Sequence, residues 1–244
     1  MTEGGPAGGP APRTAPATGP RVVLVPGLGL DERDWDRVRA ALPLPSSVVR
    51  LPVLGTRPRR GARYDVAHLA AALSDALDLV AGSAPVVLGG HSAGCPVAIE
   101  TARRDDRVVG LLLVGPVTDP RARGWVRILV SWGLTALRER LWEVPVLVPQ
   151  YLRIGVFRTV LRGMDRIRWY DTAAALDAVD LPVTLVRGEH DRIAPTAWLD
   201  RLAAHGGRRV VTVPGGAHMV TITHPAQVAD ELSSLVARCA RRAP

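Results

Sequence analysis

Residues 86–100, VVLGGHSAGCPVAIE, constrain this chain more than any other part of it. The stretch passes from a β-branched apolar run, the mark of a buried strand, through two glycines to a serine between small residues, and then into a helical pattern. A strand that turns straight into a helix puts Ser92 beyond the strand's carboxyl end, where open α/β sheets bind their ligands. Gly90-His91-Ser92-Ala93-Gly94 has the spacing G-x-S-x-G. In such a turn the backbone crowds itself, so the flanking positions must be small, and the hydroxyl is lifted above the sheet. The helix behind it points its N-terminus at the site and favours developing negative charge. Ser92 is then either a helix cap or a nucleophile. The strand-turn-helix placement favours the nucleophile.

The rest of the chain alternates in the same way. Short apolar runs predict strands over residues 21–27, 46–53, 84–90, 107–115, 181–188 and 208–216. Helices are expected from Asp31, from Asp65 through Val80 with Val66, Leu69, Leu73 and Leu77 on one face, over 93–104, near 195–204, and from Pro225 onward. This alternation predicts an α/β fold with a mostly parallel sheet and helices on both faces. Residues 117–179 interrupt it. They read as helical with Pro and Gly breaks, and hold seven of the ten aromatics: Trp125, Trp132, Trp142, Tyr151, Phe157, Trp169 and Tyr170. The expected organisation is a disordered Gly/Pro-rich tail over 1–20, a core over 21–116 and 180–244, and an inserted helical cap over 117–179.

A nucleophilic serine needs a base, and the base an orienting acid. His218, in VPGGAHMV after the sixth strand, stands where a loop can hang over Ser92; His224, at the start of the final helix, is the reserve. His91 adjoins Ser92 along the chain, where side chains diverge, and reads as structural. Asp191 follows the fifth strand and Asp119 the fourth; either could reach the histidine, and Glu189 and Asp200 are weaker choices. The order Ser92, Asp191, His218 is the one this topology expects. Donors for an oxyanion are expected from the N–H of Ala93 and, in PGLGL after the first strand, that of Leu28.

With these residues in view, the chain resembles the α/β-hydrolase superfamily over about residues 21–240. Gly27-Leu28-Gly29, Gly90-His91-Ser92-Ala93-Gly94, Gly188-Glu189-His190-Asp191 and Gly216-Ala217-His218 carry the likeness. The resemblance implies the α/β-hydrolase fold, Ser92 as nucleophile, Asp191 as acid, His218 as base, the Leu28 and Ala93 amides as oxyanion hole, and a lid at the insertion. Pro26 stands where many members carry His, and the tail stands where the family has its first two strands.

The expected activity is hydrolysis of an ester, lactone or thioester through an acyl-enzyme, with no metal or organic cofactor. Carbon–carbon cleavage, acyl transfer, and a ligand-binding receptor are the alternatives. Trp125 and Trp132, with Met219 beside His218, are the expected substrate contacts, suited to a small apolar or aromatic acyl substrate. All 31 basic residues are Arg, and the net charge is +8. Residues 120–170 hold ten of them against Glu139, Glu143 and Asp165. That surplus could steer an anionic substrate or dock an acidic carrier protein, or be a solvated face. No nucleic-acid motif accompanies it. No apolar run approaches a membrane span, and two distant cysteines, Cys95 and Cys239, point to a reducing cytoplasm.

Overall fold

β-branched side chains pack well on both faces of a pleated sheet, and this chain places them in short uninterrupted runs. The computed structural model describes residues 19–59, 61–139, 141–155 and 159–242, so all but the last two residues of the expected tail lie outside it. Its strands are β1 (Arg21–Val25), β2 (Ser46–Val48), β3 (Leu51–Pro52), β4 (Gly55–Thr56), β5 (Val86–His91), β6 (Val108–Val114), β7 (Val183–Gly188) and β8 (Arg209–Val213). Six form one sheet in the order β2-β1-β5-β6-β7-β8, every pairing parallel; β3 and β4 make a small separate ladder. From β1 the chain moves outward to β2, then returns past β1 to β5 and continues the other way. The order therefore reverses between β1 and β5, the crevice where open sheets bind ligands.

The helices are α1 (Asp36–Ala41), α2 (Val66–Val80), α3 (Gly94–Ala102), α4 (Trp125–Ala136), α5 (Val144–Ile154), α6 (Leu161–Ile167), α7 (Thr172–Asp177), α8 (Thr196–Ala203), α9 (Val220–Thr223) and α10 (Pro225–Ala240). Period-two alternation sorts the strands' side chains between two cores. Val23, Val25, Leu111 and Leu113 pack with α2, α3, α7 and α8 on one face. Val22, Leu24, Leu112 and Val114 pack with α1 and α10 on the other. None of the described helices is long and apolar enough to cross a membrane.

Two predicted elements are broken by local geometry. The helix expected from Asp31 begins as a 3-10 turn over Glu32–Asp34, capped by the Asp31 carboxylate, and α1 starts only at Asp36. Trp35 at the joint is fully buried and donates its indole N–H to Val25 O at 3.1 Å. The strand expected over 46–53 divides into β2 and β3, and Val53 takes a left-handed φ of 63°. Between β6 and β7 the chain supplies α4 to α7. Of these, α7 packs against α3 and α8, burying Ala173, Ala175 and Leu176 in the core.

Candidate active site

The junction after β5 is built from close backbone approach. A Cβ on Gly90 would lie 2.7 Å from the Gly94 carbonyl oxygen, and one on Gly94 would lie 2.7 Å from the carbonyl oxygens of Val25 and Pro26. Only hydrogen fits at either place. Ser92 between them has φ +50°, a left-handed conformation that a non-glycine residue adopts only where its surroundings impose it. Its amide is pinned to Val114 O at 2.8 Å. The half-buried Ser92 side chain opens into a cavity of about 670 Å³.

His218 follows β8 and lines the same cavity. Its Nδ1 meets Asp191 Oδ2 at 2.7 Å. The other carboxylate oxygen, Oδ1, accepts the amides of Ile193 at 2.8 Å and Ala194 at 2.9 Å. Burial pushes the Asp191 carboxyl upward, but the His218 charge, its hydrogen bond and the two amides outweigh that, so it lies below the usual range. Asp119 does not reach the histidine; it caps the turn Pro120–Ala122, accepting the Arg121 amide at 2.9 Å. His224 stands at the start of α10 with Nδ1 at Thr223 Oγ1. Among the described residues Ser92 Oγ has no hydrogen-bond partner, and both it and His218 line the cavity.

The loop after β1 lies over Ser92. A Cβ on Gly27 would sit 3.2 Å from His91 Nδ1 and 3.5 Å from Ser92 Cβ. Gly29, at φ +78°, donates to Val53 O at 2.9 Å and passes so close to Tyr151 that a Cβ would be 2.7 Å from its ring. Neither the Leu28 nor the Ala93 amide is taken up by another described group. Trp125, Trp132 and Met219 all line the cavity, as does Tyr151. Of the other aromatics in the segment, Trp142 and Trp169 are exposed and Tyr170 donates to Glu100 at 2.7 Å. Phe157 lies outside the described residues.

His91 is structural, as its place beside Ser92 suggested, but its partner Asp34 and three further supports carry no local signal. Buried His91 meets Asp34 Oδ2 with Nδ1 at 2.8 Å and the His218 carbonyl oxygen with Nε2 at 3.3 Å. Both ring nitrogens face acceptors, which suits the imidazolium. Burial lowers the His91 pKa, yet Asp34, the His218 carbonyl and the charge of Asp191 together outweigh this and the net shift is upward. Asp34 also accepts the Gly27 amide and the Thr221 hydroxyl, so one carboxylate ties the β1 loop to the segment after His218. Arg187, buried on β7, donates to the carbonyls of Ala194, Glu189 and Asp191 and shapes the loop that holds Asp191. Gly115, at φ +56°, clears room for the acid–base pair: a Cβ there would stand 2.7 Å from His218 Cε1. Finally, Glu139 beyond the end of α4 accepts the amides of His218 at 2.8 Å and Met219 at 3.0 Å, while Thr135 accepts that of Arg192 at 3.1 Å. Burial and the neighbouring Glu143 push the Glu139 carboxyl up to about 8. A lone Asp in a capping turn, or a Glu in an Arg-rich segment, carries no local pattern that reveals such roles.

A parallel sheet with a strained serine at its switch point and a buried Asp–His pair above it defines a hydrolase-type α/β protein. Consistent with that, residues 22–231 match the model of the alpha/beta hydrolase family, and the chain belongs to it. No curated protein matches the chain. Among solved structures it resembles a thermophilic esterase from Thermogutta terrifontis, at 19% identity over 91% of each chain with TM-score 0.71. It also resembles the enol-lactonase from Burkholderia xenovorans, at 22% identity over 91% of this chain and 92% of that one, TM-score 0.68. A hydrolase from Pseudomonas aeruginosa is similar at 19% identity over 90% of each, TM-score 0.70. These likenesses are of fold.

Proposed function

We propose that this protein is a serine hydrolase that cleaves a carboxylic ester, lactone or thioester through an acyl-enzyme on Ser92. One observation carries the reading: Ser92, held at a left-handed turn, shares an apolar cavity with a histidine whose far nitrogen is locked to a buried carboxylate. His218 Nε2 takes the Ser92 proton as Oγ attacks the carbonyl carbon, and Asp191 stabilises the imidazolium so formed. The carbonyl oxygen gathers negative charge, for which the unused amides of Leu28 and Ala93 are the donors. The intermediate collapses, the leaving group receives the proton from His218, and Ser92 keeps the acyl group. Water then gives its proton to His218 and attacks the ester carbon, and the acid departs as Ser92 regains its proton. No cofactor enters these steps.

α4, α5 and α6 act as a cap, since Trp125, Trp132, Tyr151 and Met164 form its share of the cavity wall. With Leu28 and Met219 they favour an apolar or aromatic acyl group. The esterase and enol-lactonase similarities support ester-type substrates. Two buried free cysteines suit a reducing cytoplasm.

The test is a fluorophosphonate probe and a series of nitrophenyl esters, applied to the wild type and Ser92→Ala. Labelling and turnover of the wild type alone, rising with acyl length, is the expected result. Equal labelling of Ser92→Ala, or a wild type inert to probe and every ester, would overturn the reading.

A further inference from the structure

α4 is apolar on both sides. Trp132 and Thr135 turn inward toward the cavity and the loop after β7, and Ile128 is buried in the core. Val126, Leu129, Val130, Leu134 and Leu137 turn out: Val126 is 75% exposed, Leu137 80%, and the other three at least half exposed. Positions 126, 130, 134 and 137 recur at helical spacing and share one face. Five exposed aliphatic side chains in one helical segment mark an interaction surface, because a solvated helix face is ordinarily polar. Arginines border the stripe. Arg127 follows Val126, Arg138 follows Leu137, and Arg127 reaches back to the Arg121 carbonyl oxygen at 2.7 Å. All three are exposed, and none pairs with a carboxylate among the described residues. Leu129 belongs to the stripe and also lines the cavity, so the exposed face reaches the cavity's edge.

We propose that the outer face of α4 docks on an anionic lipid surface, its valines and leucines entering the acyl boundary and Arg121, Arg127 and Arg138 meeting the anionic headgroups. Such a surface offers both halves of what the face presents, apolar depth and negative charge. A second copy of this chain would set the same arginines against one another. An acidic protein would answer the arginines but would need a matching apolar ridge of its own to cover the stripe. The docking is independent of the chemistry proposed for Ser92.

The test therefore uses the full chain carrying Ser92→Ala, co-sedimented with phosphatidylglycerol vesicles and with phosphatidylcholine vesicles. Binding to phosphatidylglycerol, about tenfold weaker on phosphatidylcholine or in high salt, is the expected result. Leu134→Ser/Leu137→Ser and Arg127→Ala/Arg138→Ala should each weaken it about tenfold. Placed in the Ser92 parent, neither pair should change its circular dichroism or its turnover of a soluble short ester. No binding to phosphatidylglycerol, equal binding to both lipids, equally tight binding to polyglutamate, or a stripe variant that merely turns an oligomer into a monomer without vesicles would each overturn the proposal.

Discussion

Gly115 and Gly133 separate what a residue does from what it is. Both are glycines in or near the inserted segment, and the sequence treats them alike. At Gly115 the positive φ and the His218 ring 2.7 Å from an added Cβ leave no room for a side chain. At Gly133, on α4, an added Cβ meets nothing within 4 Å. Gly115→Ala is expected to push the His218 ring off the Asp191 carboxylate and cut kcat/KM about 10²-fold, the scale of an ångström's misplacement. Gly133→Ala should leave kcat/KM unchanged and add up to about 1 kcal/mol of stability by helix propensity. Ester kinetics and thermal melts of the two variants check this; equal activities would remove the steric role given to Gly115. The residues legible in the sequence were those with a local signature. Ser92 sits in its G-x-S-x-G, and Asp191 and His218 lie in the loops just past two strands. Asp34 has none, since His91 and Thr221 are brought to it only by folding.

The end of α4 is where one element controls two others. Thr135 and Glu139, one helical turn apart, hold the amides of Arg192 and of His218 and Met219, beside the expected acid and base. The groups facing Glu139 are Glu143, buried beside it, and Tyr151 in the cavity. With a folded pKa of about 8 against an ordinary 4.5, Glu139 contributes stability that is fully present below about 4.5 and is lost as pH rises through about 8. The Tm of the wild type should therefore fall between pH 5 and pH 8 by more than that of Glu139→Gln, which keeps the carbonyl acceptor and cannot ionise. Parallel melting curves for the two would remove this linkage. The strands and the long amphipathic helices were readable because their periodicity is local. α9, four residues long, has too little pattern to read. The packing of α7 onto the core was not legible either: Asp171 marks where the helix starts, but nothing local says which side of the sheet it will cover.

At the scale of the whole molecule, alternation along the strands builds two cores, and they serve different ends. Leu113 faces the core that carries α3 behind Ser92; Leu112 faces α1 and α10, away from it. Leu112→Ala should cost about 2–5 kcal/mol in urea denaturation, from lost burial and an unfilled cavity, while probe labelling of Ser92 at low temperature stays near wild type. A loss of labelling without a loss of stability would contradict the separation. What the sequence determined by itself follows from short-range physics: the alternation of strand and helix, and with it a parallel sheet, and the crowded turn that demands Gly90 and Gly94 around a serine. What only the tertiary structure decided are pairings across long separations. Asp191 rather than Asp119 meets His218, Asp34 ties His91 to Gly27, and Glu139 reaches the loop of His218. A carboxylate's partner depends on which loops the sheet order brings together at its carboxyl edge, and no stretch of chain carries that information alone.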